Sequence, residues 1–141
     1  MKKILLFSSL LLLLTACNSA PILSLSEGER MAEEFFQLMK NDPQAAYLQT
    51  DDLLQANTTP EEFAALKDNW YVQNLSDISM SSVALDSAAY SSDYDGPYAL
   101  TTLSGTASFT DSTSTPLTVL WFYDFEVEAW ELDGFQFEPS N

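Results

Sequence analysis

The sequence predicts an α+β domain, N-terminal helices packed on a curved four-stranded antiparallel sheet, carried behind a cleaved export signal. Three observations predict it. Residues 1–16 join a positive start to a short apolar run, residues 26–74 repeat apolar side chains at helical spacing, and after about Asn74 the composition shifts to Ser, Thr and aromatics with a period of two. Helices followed by a run of strands form an α+β layer fold.

Met1, Lys2 and Lys3 supply the positive start, residues 4–14 the apolar run, and Thr15 and Ala16 a small-residue junction before Cys17. This is the layout of an export signal, and the run is shorter than the ~20 residues a membrane-spanning helix needs. Leu14-Thr15-Ala16-Cys17 resembles the lipobox of bacterial lipoproteins. The resemblance implies that the Cys17 sulfur is lipidated, that the chain is cut before it, and that the freed amino group is acylated in turn. Two or three acyl chains anchor firmly where one binds marginally. Asn18 stands where lipoproteins retained at the inner membrane typically carry Asp, so the resemblance implies the outer membrane, facing the periplasm. The other reading of Cys17, a buried or free thiol, fails because no mature fold would keep this segment. As the single cysteine, Cys17 leaves no partner for an intrachain disulfide.

Cleavage leaves 125 residues, the size of one domain, with Arg30, Lys40 and Lys67 against 21 acids and a net charge of −18. Such a chain is no nucleic-acid binder and does not adhere to anionic headgroups, both of which demand Lys and Arg patches. Cationic partners or divalent ions fit better; the plainer alternative is a solvated acidic surface that keeps the protein dispersed. Aromatics at 13% exclude acidic disorder.

In the 17–25 segment Cys17 is the lipidated residue and Asn18 to Leu25 read as a tether of up to about 26 Å, with residues 26–141 as a single domain. Ser26 and Glu29 have capping-box spacing, predicting a helix to about Lys40 with Met31, Phe35, Leu38 and Met39 on its buried face. Asn41-Asp42-Pro43 stops it and starts a short or broken second helix carrying Ala45, Ala46, Tyr47, Leu48, Leu53 and Leu54. Thr59-Pro60-Glu61-Glu62 opens a third, with Phe63, Leu66 and Trp70 at helical spacing. Strands follow at 78–88, 98–109, 117–125 and 129–137, joined by turns at 91–97, 110–116 and 126–128 that are short enough for a hairpin meander. In the last strand Trp130 and Leu132 share one parity, Phe135 and Phe137 the other, and the switch falls on Asp133-Gly134. A bulge there, with Gly134 taking an unusual backbone angle, puts all four on one face and bends the sheet into a cone. Without a bulge, the outer face needs a cover such as a second subunit. Leu117, Val119, Trp121, Tyr123 and Phe125 form one face of the third strand, and Leu120 and Phe122 put apolar area on the other.

The ending Trp130, Leu132, Gly134, Phe135 and Pro139, after a lipobox and a helical half, resembles small bacterial lipoproteins of the nuclear transport factor 2-like (cystatin-like cone) superfamily. Glu126-Val127-Glu128 departs from the Gly that such proteins often carry in the preceding turn. The resemblance implies a curved sheet, a pocket between sheet and helices, and frequent homodimers through the sheet. It implies no single activity.

The chain has no histidine, which removes the commonest general base, the commonest metal ligand and every Ser-His or Cys-His nucleophile. No phosphate loop or zinc spacing occurs, and no cofactor or metal is expected. What remains is a Tyr/Asp pair of the isomerase or dehydratase type, with Asp124 and Tyr47 or Tyr71 as the available groups; more simply, Asp124 ends a strand in water and the tyrosines edge a core. Asp93-Tyr94-Asp95-Gly96 is a fragment of a calcium loop or, more simply, a hairpin turn. Trp70, Trp121 and Trp130 are core side chains or the walls of a ligand pocket. The expectation is an envelope lipoprotein, anchored in the membrane through Cys17, whose non-catalytic domain binds a small ligand or an envelope protein; the alternative is a pocket enzyme.

Overall fold

A computed structural model describes residues 20–88 and 98–139. Cys17, the signal, and the 91–97 turn with its Asp93-Tyr94-Asp95-Gly96 motif lie outside the described residues. The helices are α1 (Leu25–Asn41), α2 (Pro43–Tyr47), α3 (Asp52–Asn57), α4 (Pro60–Ala65), a 3₁₀ turn (Leu66–Asp68) and α5 (Trp70–Asn74). The strands are β1 (Leu75–Ala88), β2 (Tyr98–Phe109), β3 (Ser114–Asp124) and β4 (Ala129–Phe137), paired antiparallel in the order β1-β2-β3-β4. The predicted helix-then-meander architecture is thus the observed one, a curled sheet that stays open.

The start of α1 differs from expectation. Ser24, not Ser26, is the cap, its Oγ accepting from the Glu27 amide at 3.2 Å. The same S-x-x-E spacing occurs at both positions, and burial of Leu23 decides between them by drawing the chain into the core ahead of the helix. Glu29 consequently does not reach back; its carboxylate crosses to β1 and accepts the Met80 amide at 2.7 Å. The buried stripe of α1 is Gly28, Ala32, Phe35, Phe36 and Met39, so Phe36 takes a core place while Met31 and Leu38 stay half-buried. Phe35 meets Trp121 edge-on with centroids 6.1 Å apart, and Phe36 meets Phe135 at 5.0 Å.

Asp42 caps α2 through the Ala45 amide at 3.0 Å, and the predicted second helix is broken into α2 and α3. Thr59 and Glu62 form the predicted capping box. The third helix, however, ends before Trp70: it tightens to a 3₁₀ turn at Leu66, and Asn69, extended and accepting from the Tyr71 amide, starts α5 afresh. Trp70 therefore leaves the Phe63–Leu66 face and is 46% exposed.

In the β3–β4 ladder Trp121 pairs with Leu132 and Leu120 with Gly134, so Asp133 is the extra residue of a bulge. Trp130, Leu132, Phe135 and Phe137 all pack against the core as that bulge requires. Gly134 itself has an ordinary backbone, and a Cβ there would meet nothing nearer than Leu120 Cδ1 at 4.0 Å, so the bend does not depend on glycine. Two further irregularities fall in β1, between Leu75 and Asp77 and between Met80 and Ser82. Gly105 lies opposite Met80, where a Cβ would stand 2.2 Å from the Ser79 carbonyl oxygen, and here only glycine fits. These irregularities curl the sheet around α1. Side chains fill the space between: Phe35, Phe36, Met39 and Phe63 from the helices, and Leu103, Leu117, Val119 and Leu132 from the sheet, are each at most 2% exposed. With all four β4 side chains turned inward, that strand gives no argument for a covering subunit; Leu120 and Phe122 still place half-buried apolar area on the outer face.

Candidate functional site: a groove between α1 and the β3–β4 hairpin

An open groove of about 320 Å³ runs between α1 and the β3–β4 hairpin, lined by Met31, Glu34, Phe35, Leu38, Gln49, Trp121 and Trp130. Helical spacing aligns Met31, Phe35 and Leu38 along one flank of α1. Trp121 and Trp130 point to the same side of the sheet because the bulge lies beyond both, and Tyr123 meets Trp130 at 5.1 Å. Trp121 is 3% exposed, yet its Nε1–H has no acceptor. Thr101, its partner across the β2–β3 ladder, likewise buries an unpartnered Oγ1. Glu34 is held by Arg30 at 2.7 Å.

Gln49 belongs to the α2–α3 connection, which docks on the edge of β4. The Leu132 amide donates to the Gln49 carbonyl and the Asp51 amide to the Leu132 carbonyl, both at 2.9 Å, so Thr50 bridges Leu132 in parallel. The connection thus occupies the edge beside the bulge, bringing Asp51 to Asp133. Asp51 Oδ1 caps α3 through the Leu54 amide at 2.9 Å, whereas Oδ2 is buried without a partner. Burial first, then the neighbouring Asp133 side chain and the charges of Asp133 and Glu131, push the Asp51 carboxyl up to about 7, against the pull of the Leu54 amide. Burial and the charges of Asp124 and Asp52 raise Glu131 as well. The edge of β4 is therefore a concentration of carboxylates under mutual repulsion.

The other residues singled out in the sequence lie elsewhere. Trp70 packs on Tyr71 and Phe109 at 5.4 and 5.0 Å, away from Trp121 and Trp130. Tyr71 stacks on Phe137, at the end of β4 remote from Ala129, the partner of Asp124. The Tyr47 hydroxyl donates to the Thr58 carbonyl at 2.7 Å, and Asp124 accepts the Glu126 amide at 2.7 Å, holding the β3–β4 turn. Among the described residues no three His, Cys, Asp or Glu side chains are arranged to hold a metal ion. Sequence reasoning missed Asp51 and Gln49; Thr50-Asp51-Asp52 carried the visible signal of a helix cap, but its docking on β4 is a tertiary contact.

A family model described as a prokaryotic membrane lipoprotein lipid attachment site matches residues 1–18. No curated protein and no solved structure matches the chain. The N-terminus is a lipoprotein attachment site, and the protein is tied to the membrane through lipid on Cys17.

Proposed function

We propose that this lipid-anchored protein presents a non-catalytic cone domain of the nuclear transport factor 2-like type at the periplasmic face of the outer membrane, and that the domain binds a small, largely apolar ligand between α1 and the β3–β4 hairpin. The observation that carries the reading is the convergence of Trp121 and Trp130 with Met31, Phe35 and Leu38 on one open groove of about 320 Å³, at the lower end of the ligand-pocket range. The filled core supports a surface groove over an interior cavity. The engagement of Asp124 in a turn and of Tyr47 with a carbonyl supports binding over chemistry. Burial of Leu23 shortens the tether to residues 18–22, roughly 18 Å at full extension, which keeps the groove close to the bilayer.

The test is to follow the indole ¹⁵N–¹H signals of the three tryptophans while screening fragment-sized apolar compounds. A ligand that shifts Trp121 and Trp130, spares Trp70, and loses its effect in Trp130→Ala supports the groove. Compounds that bind only at Trp70, or shift no indole, overturn it.

A further inference from the structure

Lipid on Cys17 holds the domain at a membrane, and the direction of α1 decides which end of the domain faces it. Gly28 packs on Leu103, the β2 partner of Val83; Glu29 accepts the Met80 amide, and Lys40, at the far end of the helix, donates to the Leu75 carbonyl. Helix α1 therefore runs antiparallel to β1, and the chain enters it from the end of the sheet where β1 is followed by β2. In an antiparallel meander β3 turns into β4 at that same end. From Leu103 to Tyr98, β2 continues about 17 Å past the level of Gly28, and β3 matches it from Val119 to Asp124. The tether, residues 18–22, spans roughly 18 Å at most before Leu23 enters the core. The β3–β4 turn thus projects about as far from α1 as the tether lets the lipid stand off.

Apolar side chains are bare at this end. Ile22, next to buried Leu23, is 84% exposed, and Val127, in the β3–β4 turn, is 63% exposed. Val83 and Leu85 are exposed on β1 between the level of Gly28 and the hairpin, and half-buried Phe125 meets Tyr123 edge-on at 5.1 Å beside Val127. Asp124 Oδ1 accepts the amides of Glu126 and Val127, fixing the turn with the valine side chain in solvent. The other large apolar side chains exposed among the described residues are elsewhere: Leu48 and Leu53 flank the connection docked on Leu132, and Trp70 packs on Phe109 at the opposite end of β2.

Charge selects the kind of surface. The two hairpins carry Asp86, Asp124, Glu126 and Glu128, and no Lys or Arg follows Lys67 in the chain. Anionic headgroups repel such an end. Zwitterionic headgroups, whose ammonium is the outermost group, complement it.

We propose that the hairpin end is a membrane-contact surface: the domain stands on a zwitterionic phospholipid bilayer, with Ile22, Phe125 and Val127 in the interface and the carboxylates of the β3–β4 turn among the headgroup ammonium groups. Each contact is weak, but the anchor makes it intramolecular, at an effective concentration in the millimolar range, so few apolar side chains suffice. The inference rests on the lipid and the fold and is independent of the groove.

The test uses the mature lipidated protein in phosphatidylcholine nanodiscs. Because the Cys17 sulfur carries lipid, Val127→Cys and Leu48→Cys each present a single thiol for a nitrobenzoxadiazole probe. Both positions are exposed, so both variants are expected to fold. Doxyl-labelled lipids should quench the probe at Val127 several-fold more than the probe at Leu48, with emission shifted to the blue at Val127 alone. Equal quenching at the two positions, or a probe at Val127 that stays in water, overturns the contact. Insertion of ten Gly-Ser residues after Ser19 should leave the quenching at Val127 in place; its loss means that the short tether alone holds the turn near the lipid, and overturns a docking surface. Replacing a third of the lipid with phosphatidylglycerol should weaken the quenching at low salt, and salt should restore it. A response indifferent to lipid charge overturns the preference for zwitterionic headgroups.

Discussion

Asp51 shows how one carboxyl group can serve two opposed demands. Its Oδ1 must accept the Leu54 amide to start α3, which favours the charged form, while its Oδ2 is buried beside Asp133, which favours the neutral one. Burial wins, and the group holds a proton to about 7 in the folded chain against an ordinary 3.8. The folded state then binds more protons than the unfolded state between those two values, so this group's contribution to stability falls as pH rises through that window and is fully lost above it. Asn in its place keeps an oxygen for the cap and offers Asp133 an amide N–H without ionising. Asp51→Asn is therefore expected to melt several degrees higher than the parent at pH 8, with the gap closing toward pH 4; thermal unfolding across that range checks it. Glycines make a second contrast at this scale. Gly105→Ala forces a Cβ onto the β1 backbone and should cost about 3 kcal/mol in urea unfolding, whereas Gly134→Ala meets open space and should cost less than about 0.5 kcal/mol.

At the scale of elements, α1 does more than cover the sheet. Glu29 near its start accepts the Met80 amide, and Lys40 near its end donates to the Leu75 carbonyl, so two side chains of one helix hold backbone groups of β1. β1 is an edge strand, and unpaired backbone along an edge invites pairing with other chains. Burial lowers the Lys40 pKa, as expected of a cation held against the sheet. Glu29→Ala strands a buried amide and should destabilise by about 2 kcal/mol, with faster hydrogen exchange at Met80; Glu29→Gln keeps a carbonyl acceptor and should cost less. Thr59→Ala breaks only the capping box of α4 and should cost about 1 kcal/mol. The box at Thr59 was legible because, although Thr58 and Glu61 offer the same spacing, Pro60 suits the first helical position and so marks Thr59 as the cap. The start of α1 was not, because Ser24 and Ser26 both offer that spacing and only the burial of Leu23 separates them.

For the whole molecule the governing quantity is net charge, −16 over the full sequence and −18 once residues 1–16, with Lys2 and Lys3, are removed as the attachment site implies. Self-repulsion of that size opposes the compact state, so the melting temperature should rise with sodium chloride between low and moderate ionic strength, and a flat response would mean that the acids are spaced beyond one another's reach. The anchor acts at the same scale. Cys17→Ser removes the lipid acceptor and should move the protein from the membrane pellet to the soluble fraction of lysed cells. The proposed outer-membrane placement predicts that Asn18→Asp shifts the protein toward inner-membrane density-gradient fractions; an unchanged distribution counts against that placement.

The sequence by itself determined the attachment site, the order of helices before strands, the two caps at Asp42 and Thr59 and the antiparallel meander, and it marked Asp133-Gly134 as the place where the parity changes, which the structure resolves as a bulge. Each is written in neighbouring residues, as a spacing, a cap or a change of parity. Only the tertiary structure decided that Trp121 and Trp130 share a groove while Trp70 does not, that Phe36 rather than Leu38 enters the core, and that Asp51 lies against Asp133. Those outcomes depend on how α1 crosses a curled sheet and on where the α2–α3 connection meets the edge of β4. Such contacts join residues far apart in the chain, and no local pattern records them.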